Sequence, residues 1–342
     1  MGTVVAERPA VRDSGLNRLV GQPEGTRPPG KRWGKAPKAS TGVERAGDRA
    51  ARRLATAAGA TILVALAGVG LFLLARGLPA VRAGQGDLPE GATSFWQLAG
   101  PLAFGSVWAA ALALLFAIPV AVAVALFISM YAPRRFAGPL GATVDVLAAI
   151  PSVVYGLWGL MVFAPMTAGL YRWLSDHMGW FPLFAGKPSA TGRTILTAAL
   201  VLAVMVLPII AAVCREVFLQ TPALSVEAAL ALGATRWETI RLAVFPFARS
   251  GIVSGAMLGL GRALGETMAI AMVLSPTPFL MSVRLLNNTN PNTIAASIAQ
   301  NFPEAYGMEV NALIGLGLIL FVITFAVNYL ARRVVARSQP GA

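Results

Sequence analysis

One cysteine and one histidine in 342 residues close off two kinds of chemistry. Cys214 alone cannot form an intrachain disulfide, and with only His177 beside it no Cys/His zinc cluster can be assembled. Charge is also scarce: Asp, Glu, Lys and Arg make up 13% of the chain against 56% hydrophobic residues, far from the balance of a soluble globular protein. The net charge of +13 is unevenly placed, since residues 1–53 hold twelve Lys and Arg against five acids. The remaining cations sit mostly at the ends of apolar runs. That distribution argues against a nucleic-acid surface and for a membrane protein bathed in lipid.

Residues 1–54 are rich in Pro, Gly, Arg and Lys with almost no aliphatic clustering. They cannot bury enough apolar surface to offset the entropy of ordering, and read as a basic, disordered cytoplasmic tail. Within it, "GTRPPGKR" (Gly25 to Arg32) nearly matches a phosphate-cradling GxxxxGK[ST] loop. Arg32 stands where the hydroxyl residue belongs, and neither strand nor helix flanks it, so no ATP site is expected there.

Residues 55–342 read as an all-α integral membrane domain of about six transmembrane helices. The apolar segments fall near 55–76, 103–130, 143–165, 193–214, 250–274 and 310–331, each long enough to cross roughly 30 Å of hydrocarbon at about 1.5 Å per residue. With an internal N-terminus, the inside connections hold 21 Lys and Arg and the outside loops four, Arg82, Arg172, Lys187 and Arg284. This places both termini in the cytoplasm of a plasma-membrane protein. Pro119, Pro151 and Pro208 within the segments predict kinks or unwound turns. His177 reads as a loop residue and Cys214 as a small hydrophobe at a helix end.

The outer connection, about 275–309, contains "NTIAASIAQNF", where Ile294, Ile298 and Phe302 recur at spacing four after Asn292. This predicts a short helix capped by Asn292 and lying on the outer membrane surface, either as a packing element or as a docking surface. The longest inside connection, about 215–249, carries a sharper pattern. Thr221 and Pro222 start a helix, Gly233 ends it, the capping box Thr235–Glu238 starts a second, and Pro246 stops that one. Such a hairpin suits a rigid knob for a soluble partner or an amphipathic element lying on the membrane.

The run Glu227, Ala228, Ala229, Gly233 and Pro246 resembles the EAA coupling loop of ABC importer permeases, which fits a groove in the ATPase subunit. Ala243 and Phe245 stand where that family often has Ile and Leu. "IPSVVYGLWGL" (Ile150 to Leu160), "GRALGETMA" (Gly261 to Ala269) and "VNYLARR" (Val327 to Arg333) are similar to the phosphate-carrying members. The resemblance covers about residues 55–335. It implies an ATP-driven phosphate importer built of this chain, a PstA-like second permease subunit, two ATPase subunits and an external phosphate-binding protein, with no cofactor and no enzymatic activity in this chain. Sulfate and molybdate permeases share the coupling loop and stay open as alternatives. An ion-coupled secondary transporter would show inverted repeats, which are not visible here.

"SGAMLGLGRALGETMAIAMVL" (Ser254 to Leu274) puts two charges in an apolar run. Taken as one helix over 251–274, it sets Arg262 near the middle and Glu266 one turn on, both on a face shared with Gly255 and Gly259. Charges at that depth are costly and mark pathways. The reading is of a substrate path in which Arg262 faces the anion, Glu266 tempers its attraction and the two glycines leave room. Glycine packing beside a buried ion pair is the purely structural alternative.

Overall fold

The computed structural model describes residues 46–83 and 88–337. The basic tail over 1–45, including Gly25–Arg32, lies outside the described residues. The described chain divides into two units, the first ending at Thr61 and the second beginning at Ile62. Of the first, residues 46–61 are described, and all are helical; the stretch 46–54, read from sequence as the end of the tail, therefore belongs to a helix.

That helix, α1, spans Ala46–Val81. It is followed by α2 (Phe95–Leu126), α3 (Arg134–Ala148), α4 (Ser152–Trp158), α5 (Ala164–Met178) and α6 (Ile195–Leu219). A hairpin of α7 (Ala223–Ala231) and α8 (Arg236–Thr239) leads into α9 (Phe245–Leu264), and α10 (Met268–Val273), α11 (Ile294–Asn301) and α12 (Met308–Arg337) complete the chain. Single π turns extend α2 to Tyr131, join α4 to α5 and join α8 to α9. Among the described residues, six helices are long and apolar enough to cross a membrane: Arg49–Val81, Phe95–Tyr131, Ser152–Met178, Ile195–Leu219, Arg236–Leu264 and Met308–Arg333.

The third span is displaced from its expected place. The segment 143–165 is not one helix, because α3 ends at Ala148 and α4 begins only at Ser152. Pro151 lies at the break, where its ring disfavours the helical conformation of the residue before it. Pro119 and Pro208, by contrast, sit inside the continuous helices α2 and α6. His177 belongs to the last turn of α5 rather than to a loop, with its Nδ1 2.9 Å from the Trp173 carbonyl oxygen.

At the centre lies α6, which packs along α2 and α9. Ala113, Ala117, Ala121 and Ala125 recur at spacing four on α2 and are all fully buried. Small residues on one stripe let helix backbones approach closely where lipid supplies no hydrophobic drive. Gly251 and Gly259 do the same for α9: a Cβ on the first would run into Val217, and on the second would come 2.7 Å from Ile210 Cδ1. Cys214 is buried in this core.

Polar bonds hold the turn before α6. Gly192 has φ of +71°, and its carbonyl accepts from Thr197 Oγ1 at 2.6 Å, which in turn lies 2.7 Å from the Tyr171 hydroxyl. A Cβ at Gly192 would collide with the Ala164 carbonyl oxygen. Gly192→Ala is therefore expected to destabilise the protein by at least about 1–2 kcal/mol, the cost of a left-handed backbone for a residue with a Cβ. Its melting temperature in detergent should fall; an unchanged value would refute the strain assigned to this turn.

Candidate functional site

The run 251–274 is two helices, not one. The first, α9, ends at Leu264 with Gly265 as its C-cap, and the chain turns through Glu266 and Thr267 before α10 begins at Met268. Glu266 causes part of the break: its Oε1 accepts the Ala269 N–H at 3.0 Å, satisfying one of the orphan donors at the start of α10. The expected i, i+4 relation between Arg262 and Glu266 therefore fails, because it needs a continuous helix. Arg215 of α6, by contrast, does pair with a carboxylate, Asp145 of α3, 3.3 Å away.

Arg262 consequently lies in the last turn of α9, where the helix dipole favours a cation. Its Nε is buried and has no hydrogen-bond partner. The residue lines an open cavity of about 540 Å³ with Ser254, Met257 and Gly261 of its own helix, Ile209 of α6 and Asn328 of α12. Tyr155, on α4, stands within electrostatic reach of the guanidinium, and its hydroxyl donates to the Leu147 carbonyl at 3.0 Å. Glu266 is buried at 7% exposure. Gly255 and Gly259 do not line the cavity: Val213 and Ile210 of α6 occupy the space beside them. Their assignment as room for a solute is corrected to helix packing, since the missing side chains are filled by a neighbour rather than by a path.

The hairpin forms largely as its sequence predicts. Gly233 has φ of +82°; its N–H donates to the Leu230 carbonyl at 2.9 Å and the Ala234 N–H to the Ala229 carbonyl at 3.1 Å. This is the six-to-one, five-to-two pattern that ends a helix on a left-handed glycine. Thr235 and Glu238 form the reciprocal capping box, with the Thr235 N–H donating to Glu238 Oε2 at 2.7 Å and the Glu238 N–H to Thr235 Oγ1 at 3.3 Å. Pro246 does not stop the second helix. It occupies the first turn of α9 just after the π turn over Ile240–Val244, so the continuing backbone needs no N–H from it. The loop accordingly shrinks from 215–249 to the residues between Leu219 and Arg236. No residue of α7 is buried, Glu227 and Ala228 are exposed, and Leu224 and Leu232 are 80% and 90% exposed.

On the opposite face the short helix in 275–309 exists as α11, but it is not a surface element. Ile294, Ala295, Ala296 and Ser297 are buried, and the Ile294 N–H donates to Ser106 Oγ of α2 at 2.8 Å. Its cap is Thr293 rather than Asn292. Spacing of four located the helix; its burial depends on a hydroxyl 188 positions away. Two polar residues that pattern reading passed over matter here, Arg193 and Asn290. Asn290 is fully buried and bonds the Ile195 N–H and the carbonyls of Arg193 and Ser275. Arg193 gave a signal as an unexplained cation at the edge of an apolar segment, whereas Asn290 lies among other polar residues of the outer connection and gave none.

An arginine whose buried Nε lacks a partner, set at a cavity between membrane-spanning helices, with an exposed hairpin elsewhere on the bundle, fits a multi-pass membrane permease. Residues 117–339 match the family described as binding-protein-dependent transport system inner membrane component, and the chain belongs to that family. It is 44% identical over 308 residues to "Phosphate transport system permease protein PstC 2" of Mycobacterium tuberculosis, covering 87% of this chain and 94% of that one. It is 41% identical over 299 residues to "Phosphate transport system permease protein PstC" of Xylella fastidiosa, covering 83% and 89%. The fold is similar to a chain of the MetNI methionine ABC transporter in inward-facing conformations, with a TM-score of 0.50 at 16% identity over 72% of this chain and 97% of that one.

Proposed function

We propose that the chain is the permease subunit of an ATP-driven importer that carries inorganic phosphate across the plasma membrane. The observation that carries this reading is Arg262, a permanent planar cation whose buried Nε lacks a partner at the edge of a cavity between α6, α9 and α12. Guanidinium donors match the oxygens of a tetrahedral anion. The relatives named for phosphate transport supply the choice of phosphate among oxyanions.

In this reading Arg262 meets the dehydrating anion, and Glu266, buried nearby on the next turn of chain, lowers the positive potential so that the anion is released. Gly255 and Gly259 support the path indirectly by seating α9 against α6. The hairpin, with Glu227, Ala228, Ala229 and Gly233, docks into the groove of one ATPase subunit, where Leu224 and Leu232 would lose water; Pro246 fixes the exit into α9. Hydrolysis of ATP belongs to two separate ATPase subunits, a PstA-like subunit completes the membrane pair, and an external phosphate-binding protein delivers the substrate. The hairpin and both termini face the cytoplasm, following the excess of Lys and Arg on that side.

The test is ATP-dependent uptake by the complex reconstituted in vesicles, with labelled phosphate, sulfate and molybdate compared. Phosphate uptake is the expected result. Sulfate or molybdate uptake without phosphate uptake would overturn the substrate.

A further inference from the structure

Helix α10 has six residues, about 9 Å at 1.5 Å per residue, too short to be stable by itself. Yet one side of it is core: Ala269, Ile270 and Val273 are at most 2% exposed. Its position is set at three points. Glu266 caps its N-terminus through Ala269. On its side, Gly156 of α4 lies so close that a Cβ there would stand 2.9 Å from Ala269 Cα. At its C-terminus a residue some eighty positions away in sequence takes hold: Arg193 donates from Nε to the Val273 carbonyl at 3.3 Å and from Nη2 to the carbonyls of Met272 and Leu274 at 3.3 and 3.1 Å.

This grip is built from both sides. The Arg193 carbonyl accepts from Asn290 Nδ2 at 3.1 Å, and the same amide donates to the Ser275 carbonyl at 3.3 Å, just past the end of α10. One residue before Arg193, the Gly192 carbonyl is held by Thr197. A cation at a helix C-terminus and a carboxylate at its N-terminus each oppose the local end of the helix dipole. Thus α10 is a short rod, buried along one side and suspended between two charged side chains, one of which belongs to the proposed transport site.

We propose that Arg193 is a positioning residue for that site: by capping the C-terminal carbonyls of α10 it fixes, through the rod, where the Glu266 carboxylate stands relative to Arg262. The inference rests on the proposed role of Arg262 and Glu266 in the anion path. Arg193 touches no substrate. Its removal frees three carbonyls in an apolar setting, and α10 answers by shifting or fraying from that end, which carries Glu266 away from its place.

The experiment uses the assembled complex in nanodiscs and in vesicles, with Val273→Cys in a Cys214→Ala background as reporter. Val273 is fully buried, so labelling by a water-soluble maleimide should be slow. Arg193→Gln is expected to speed that labelling and to raise the ATP hydrolysed per anion carried, each by roughly tenfold or more given three lost charge-assisted bonds. Arg193→Lys, which keeps the cation but not the planar fork, should recover part of both and serves as the readable variant if the glutamine form does not assemble. Faster labelling with an unchanged ATP ratio would make Arg193 a simple cap and overturn the proposal. A changed ratio without faster labelling, or failure of both variants to assemble, would overturn it as well. If the wild-type complex carried another oxyanion, the phosphate reading would fall, and the ratio would be measured with that anion.

Discussion

Arg262→Gln is expected to abolish most phosphate uptake while the complex still assembles. Glutamine keeps bulk and some hydrogen bonding but removes the cation that compensates an anion losing its water. A hydrogen bond to a charged group is worth about 1.5–3 kcal/mol, so losing even one such bond costs roughly 10- to 100-fold in uptake per complex. Since Arg262 Nε has no partner in this structure, the substitution leaves no buried carboxylate orphaned. Glu266→Gln should behave differently. An amide oxygen can still accept the Ala269 N–H, so α10 should stay capped, but Arg262 becomes an untempered cation, and uptake should fall without recovery at high external phosphate. The double variant should remain inactive. Near-normal uptake by the double would return the two charges to a packing role and remove them from the path.

Gly233→Leu should cost the complex its ATPase subunits on co-purification while the membrane domain folds normally. A left-handed residue with a Cβ is strained by about 1–2 kcal/mol, yet a Cβ at Gly233 would meet nothing within 4 Å, so no clash inside the chain adds to this. The loss would therefore come from redirecting α7 against α8 or from the side chain entering the partner's groove. Gly233→Asn separates the two, because asparagine tolerates the left-handed region. Recovery of association by asparagine assigns the effect to the turn, and continued loss assigns it to the groove. Normal association and uptake by both variants would take the hairpin out of the coupling mechanism.

Both predictions depend on the same division between short-range and long-range information. The number of spans, the turn at Gly233 and the capping box at Thr235–Glu238 depend on a few consecutive residues and on hydrophobic runs, so they were legible in the chain, whereas the third and fifth spans lie elsewhere than their runs suggested. Pro246 was read as a stop because an interior proline removes a donor; a single π turn placed just before it absorbs that defect, and no local pattern announces such a turn. Helix α11 was located by its spacing but misplaced, since an apolar face looks the same whether it meets lipid or the interior.

The candidate site divides in the same way. The sequence by itself determined that two charges lie in an apolar run, and the insertion cost of such charges marks them for function. Only the tertiary structure decided their relation. The break at Gly265, the capture of Glu266 by Ala269, the filling of the Gly255 and Gly259 face by α6 and the grip of Arg193 on α10 each depend on partners the linear pattern does not order. A buried backbone group must find a partner wherever the fold brings one, so the choice among possible partners is made by packing and not by spacing along the chain.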